Sequence, residues 1–142
     1  MKKVLIINGP NLNLLGKRET EIYDIKSFEE IYKELKRFAE KNKIELSYYQ
    51  SNVEGDIINK MHESMGNIDY IVLNAGALTH YSYSLFDAIK AIKIPTIEVH
   101  ISNIFAREQW REKSVISPAV LGVISGLGPI VYKLALIFIS EK

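Results

Sequence analysis

Short, uninterrupted apolar runs alternate along this chain with segments of helical period, and that alternation limits the fold more than any other feature. Val4-Leu5-Ile6-Ile7, Ile44 to about Tyr49, Tyr70 to Asn74, Thr96 to His100 and Ala119–Ile124 read as strands. The third is apolar throughout until Asn74, as expected for a strand covered on both faces. Between them lie helical stretches. Ser27-x-x-Glu30 is a capping-box pattern opening a helix with Phe28, Ile31, Tyr32, Leu35, Phe38 and Ala39 on one face. A second helix spans roughly Glu54 to Met65 with Ile57, Ile58 and Met61 inward, and stops at Gly66. A third covers about Ser82–Ile92, Arg107–Arg111 reads as a helical turn or two, and Gly128-Pro129 starts the last helix with proline in its first turn. Strands separated by helices require parallel pairing with right-handed crossovers. The expected fold is therefore α/β: a doubly wound, three-layer sandwich around a five-stranded parallel sheet, as a single domain over residues 1–142.

Composition narrows the function classes. With 142 residues, 47% of them hydrophobic, the chain can bury one sizeable core. A net charge of +1 leaves no electrostatic footprint for nucleic acid or an anionic membrane. The absence of cysteine excludes disulfides, thiol catalysis and cysteine-based metal sites, and fits a cytoplasmic protein. The apolar start is too short for a signal peptide, and Ile130–Ile139 is too short to span a membrane. The latter is apolar on all sides, so it either packs on several faces or meets a neighbour.

Ligands in open α/β sheets bind beyond the carboxyl ends of the strands. Three segments deliver polar side chains there. The first carries Asn8, Asn11 and Asn13, the second Asn74 and then His80, and the third Glu98, His100, Ser102 and Asn103. Asn8 and Asn11, beside Gly9-Pro10, also suit plain turn residues. His80 is equally compatible with surface and site, while His62, on a helix, reads as structural. Glu98 and His100 alternate in a strand, so they share a face. Burying them unpaired is costly, which argues for a functional pair. Arg107 and Arg111 stand four apart beside Glu108 and Glu112; a solvated ion-paired face is the simpler reading, although Arg111 follows the site loop closely.

Arg18 and Tyr23 suggest a base. A free phenol has a pKa of about 10, so roughly one in a thousand is ionised at pH 7. A guanidinium nearby lowers an anion-forming group by about 1–3 units. Tyr23 would then abstract protons near neutrality; alternatively it packs a loop while Arg18 is solvated. There is no G-x-G-x-x-G or Walker loop. His80, Glu98 and His100 lack helical metal-ligand spacing.

Taken together, the motifs resemble the type II 3-dehydroquinate dehydratases, a flavodoxin-like family. They are Ile7-Asn-Gly-Pro-Asn-Leu-Asn-Leu-Leu-Gly-Lys-Arg-Glu19, Asn74-x-Gly76-x-x-Thr-His80, Asp87-Ala88, Glu98-Val-His-Ile-Ser-Asn103, Arg107-Glu-x-x-Arg-x-x-Ser114 and Ile116-Ser-x-Ala-x-x-Gly-Val-Ile-x-Gly-x-Gly128. They run in family order over nearly the whole chain. The resemblance implies anti dehydration of 3-dehydroquinate to 3-dehydroshikimate through an enolate, in the shikimate pathway of aromatic amino acid biosynthesis. By the same resemblance Tyr23 is the base, Arg18 favours the tyrosinate, Asn11 orients a water toward the enolate oxygen, His100 is the general acid and Glu98 holds its ring. Asn74, His80, Asp87, Ile101, Ser102 and Arg111 match substrate contacts. No metal, nucleotide or other cofactor is implied, and the assembly implied is a dodecamer of trimers without nucleic-acid or membrane partners. The stretch from Gly16 to Tyr23 would be a lid that closes over substrate.

The chain departs from the family pattern at four positions. Thr20 stands for a usual proline, Asp24 for a usual glycine, Ala75 for a proline, and Lys113 for a common histidine. The first two bear on lid closure. The rival reading is a non-catalytic flavodoxin-like module holding an anion or flavin at the same rim, although the hydroxyl-rich phosphate loop is missing; a family member that has lost activity through its altered lid is a third.

Overall fold

The computed structural model describes residues 1–17 and 26–142. Five strands form one parallel sheet: β1 (Lys2–Asn8), β2 (Ile44–Gln50), β3 (Tyr70–Asn74), β4 (Thr96–His100) and β5 (Gly122–Ser125). Their spatial order is β2-β1-β3-β4-β5, so the chain reverses its direction of travel across the sheet between β1 and β3. That switch point is where a doubly wound sheet opens a crevice for ligands.

Four helices cover the two faces: α1 (Phe28–Lys41), α2 (Glu54–Glu63), α3 (Tyr83–Ile92) and α4 (Ile130–Ser140). Val4, Ile6, Val72, Ile97 and Val99 face α1 and α4, and pack with Phe28, Ile31, Leu35, Val131, Leu136 and Ile139. Leu5, Ile7, Ile71 and Leu73 face the other way, onto Ile57 and Met61 of α2 and Leu85, Ile89 and Ile92 of α3. Each such side chain contributes about 1.5–3 kcal/mol on full burial. Ser27 caps α1 as its spacing requires, its Oγ accepting the Glu30 amide hydrogen at 3.4 Å.

Several boundaries differ from those expected. Ser117-Pro-Ala119 closes into a 3-10 turn, so β5 begins at Gly122 rather than Ala119. Arg107 and Arg111 do not share a helix. Separate 3-10 turns, Ile104–Ala106 and Gln109–Glu112, are divided by extended backbone at Arg107 and by Glu108 at ψ 144°. Pro129 precedes α4 as its cap residue rather than occupying its first turn. Helix α2 ends at Glu63, and Ser64 through Asn67 form the turn beyond it. The last helix buries Val131, Tyr132, Ala135, Leu136 and Ile139 but leaves Ile130, Ile137 and Phe138 exposed. Among the described residues no helix is long and apolar enough to cross a membrane.

Candidate active site

The loops leaving β1 and β3 touch because two residues lack a side chain. A Cβ on Gly9 would lie 2.5 Å from the Ala75 carbonyl oxygen, and one on Gly76, at φ +61°, 3.0 Å from that of Pro10. Gly9 N–H also donates to the Asn74 carbonyl at 2.8 Å. The contact brings Asn8 and Asn74, paired across β1 and β3, to one rim.

On this rim Asn8 is no turn residue. It is fully buried and its Oδ1 accepts the Tyr132 hydroxyl proton at 2.7 Å. Tyr132 in turn accepts from Asn74 Nδ2 at 3.0 Å, and Asn74 Oδ1 accepts the Gly76 amide at 3.2 Å. Asn11 follows at φ 71°, a left-handed conformation that asparagine tolerates, with its N–H donating to Asn52 Oδ1 at 2.9 Å. It is exposed, as is Asn13.

Glu98 and His100 point to the opposite face from Ile97 and Val99, toward the α2 and α3 layer. The His100 Nε2–H donates to Glu98 Oε2 at 2.5 Å, and both side chains are buried. Glu98 Oε1 accepts from Ser117 Oγ at 2.7 Å and Ser114 Oγ at 3.2 Å. Burial pushes the Glu98 carboxyl upward, but the bonds from His100, Ser117 and Ser114 outweigh it and hold the group below the usual carboxylate range. The carboxylate therefore fixes the imidazole with Nε2 protonated, leaving Nδ1 for a ligand.

His80 lies beside this pair, its ring 6.5 Å from that of His100. Its Nδ1–H donates to the Lys113 carbonyl at 2.8 Å, so its Nε2 is the nitrogen left for a ligand. Trp110 meets the His80 ring edge-on at 5.3 Å and carries the Arg111 guanidinium over its own face at 4.0 Å. Arg111 Nε also donates to Glu108 Oε2 at 2.7 Å, three residues before it. The partner of Arg107 is the Ser102 hydroxyl, at 3.3 Å. Ile101 and Ser102 sit half-buried at the end of β4.

The fold thus gathers Asn11, Asn74, His80, Glu98, His100, Ile101 and Ser102 at the carboxyl edge of the sheet, with Arg111 docked beside His80. Asp87 stands apart, exposed on α3. His62 is exposed on α2, away from the rim. Arg18 and Tyr23, together with Thr20 and Asp24, lie outside the described residues. Sequence reasoning did not single out Tyr132, Trp110, or the two serines as partners of Glu98. For Tyr132 the available signal was a phenol, a side chain whose hydroxyl needs a partner when buried, inside a strongly apolar helix. Among the described residues no three histidine or carboxylate side chains cluster as a metal site.

The fold is that of a flavodoxin-like α/β protein with a carboxylate-held imidazole at the carboxyl end of β4. The chain belongs to the class II dehydroquinase family, whose pattern matches residues 2–140, and is thereby an enzyme of the hydro-lyase class. It is 56% identical over 142 residues to the 3-dehydroquinate dehydratase of Caldicellulosiruptor bescii, covering 99% of this chain and 98% of that one. It is 50% identical over 139 residues to the protein of the same name from Nitratiruptor sp., covering 98% and 89%. The crystal structure of the type II dehydroquinase from Butyrivibrio crossotus superposes with a TM-score of 0.93 at 44% identity, covering 99% of this chain and 98% of that one.

Proposed function

We propose that this chain removes water from 3-dehydroquinate to give 3-dehydroshikimate, by anti elimination through an enolate, as a step of aromatic amino acid biosynthesis. The buried Glu98–His100 pair carries the reading: a hydroxide leaving group needs an acid, and a carboxylate-held imidazole at the sheet's edge supplies one. In the proposed cycle Tyr23, made acidic by Arg18, takes the proton alpha to the ketone. The enolate oxygen is met by a water oriented by Asn11. His100, doubly protonated as it enters this step, then delivers its Nδ1 proton to the departing hydroxyl, which leaves as water, while Glu98 holds the ring through Nε2. Asn74, His80, Ile101, Ser102 and Arg111 contact the substrate's oxygens, and the forked guanidinium of Arg111 suits such a ligand. Asp87, exposed on α3, is the remaining residue assigned a substrate contact. No cofactor takes part, and the enzyme works in the cytoplasm.

Copies of the chain assemble as a dodecamer of trimers. Leu121, Val123, Leu127 and Ile130, exposed around the edge strand β5, support association, since an uncovered apolar patch beside an open strand edge is a liability in a monomer. Replacing Tyr23 with Phe, Arg18 with Ala and His100 with Asn, one at a time, tests the assignment of roles. Each is expected to lower kcat at least 100-fold with the fold intact; turnover near that of the parent in the Tyr23 and Arg18 variants refutes the base, and in the His100 variant the acid.

A further inference from the structure

One backbone hydrogen sets the direction of a chain of three buried side chains. The Gly76 N–H can only donate, so the atom of Asn74 facing it must be the oxygen, Oδ1, at 3.2 Å. That leaves Nδ2 to donate to the Tyr132 hydroxyl at 3.0 Å. The phenol, having accepted, donates onward to Asn8 Oδ1 at 2.7 Å. Asn8 Nδ2 ends the chain, buried and without a partner among the described residues. Each amide is thereby fixed in one of its two orientations, and the second Nδ2 hydrogen of Asn74 stays free as a donor. Tyr132 alone has the hydroxyl that can accept from one amide and donate to the other. It is fully buried, its ring packs edge-on against Phe28 at 5.2 Å, and burial keeps its hydroxyl protonated far above the ordinary range.

We infer that Tyr132, on the last helix, is a positioning residue for substrate binding: Gly76 sets which way the Asn74 amide faces, and the Tyr132 hydroxyl, accepting one Nδ2 hydrogen, holds it there so that the other N–H meets a substrate oxygen at the switch point. The inference rests on the proposed dehydratase reading, in which Asn74 contacts substrate. Without the phenol nothing holds the amide's polarity except the 3.2 Å bond from Gly76, which the substrate would have to defend for itself.

The test is steady-state kinetics on Tyr132→Phe, Asn74→Ala and the double variant, with folding checked by circular dichroism. Tyr132→Phe is expected to lower kcat/KM about tenfold, the worth of one correctly aimed hydrogen bond, with the change carried by KM. In the Asn74→Ala background the same substitution should change kcat/KM less than twofold, because two residues acting as one unit are not additive. A KM like the parent's in Tyr132→Phe, or an equal loss in both backgrounds, overturns the inference, the second result marking a purely structural tyrosine. If Tyr132→Phe does not fold, Asn8→Leu serves: it removes the acceptor that orients the phenol, loosens the hydroxyl's hold on Asn74 Nδ2, and should raise KM, whereas an unchanged KM overturns the inference. An inactive parent enzyme refutes the dehydratase reading and this inference with it; an active parent with unaltered variants refutes the inference alone.

Discussion

Replacing Glu98 with Gln tests the link between burial and proton transfer most sharply. The substitution keeps volume but removes the charge and one acceptor. If the amide oxygen stays on Ser117 and Ser114, at 2.7 and 3.2 Å, the new NH2 faces His100 Nε2, a donor meeting a donor. His100 must then move its proton to Nδ1 and lose the carboxylate that stabilises its charged form. A hydrogen bond to a charged group contributes about 1.5–3 kcal/mol. At about 1.36 kcal/mol per factor of ten, kcat should fall roughly 10- to 150-fold, with KM changed far less. The assay follows the ultraviolet absorbance of the conjugated enone product on folded protein. A kcat within twofold of the parent refutes the reasoning, because the imidazole would then work without its carboxylate.

Other expectations concern stability and packing. The Glu98 carboxyl is held below its usual range in the fold, so the stabilisation it brings is complete above the unfolded value and is lost as pH falls through the lower folded one. Acid unfolding of Glu98→Gln, followed by circular dichroism, should accordingly show a shallower decline below about pH 4.5; an identical decline contradicts the assignment. Ser117→Ala removes the shorter hydroxyl bond to Glu98, raises that carboxyl toward its ordinary range and shifts acid unfolding to higher pH, at a cost of about 1.5–3 kcal/mol in chemical denaturation. Gly9→Ala drives a methyl into the Ala75 carbonyl at 2.5 Å, which should cost about 1–3 kcal/mol and reduce turnover by parting the two loops; parent-like stability and rate would show that the contact gives way freely.

How much of this was legible in sequence follows from range. Strands β3 and β4 were readable to the residue because each is a compact run bounded by polar residues or proline. The Glu98–His100 pair was readable because residues two apart in a strand share a face. β5 was displaced because a 3-10 turn at Ser117–Ala119 imitates the start of an apolar strand. Arg107 and Arg111 misled by spacing alone, since helical neighbours require a continuous helix and Glu108 breaks it. The partners of Tyr132 were illegible for a different reason: they lie 58 and 124 residues away, a distance no local period records. The serines bound to Glu98, 16 and 19 residues beyond it, were seen as motif members without the contact that explains them.

Mixing the purified parent protein with 3-dehydroquinate and recording absorbance of the enone decides the central claim most directly. The account predicts a steady rise that continues in the presence of a chelator. A flat trace from folded, fully assembled protein would contradict it.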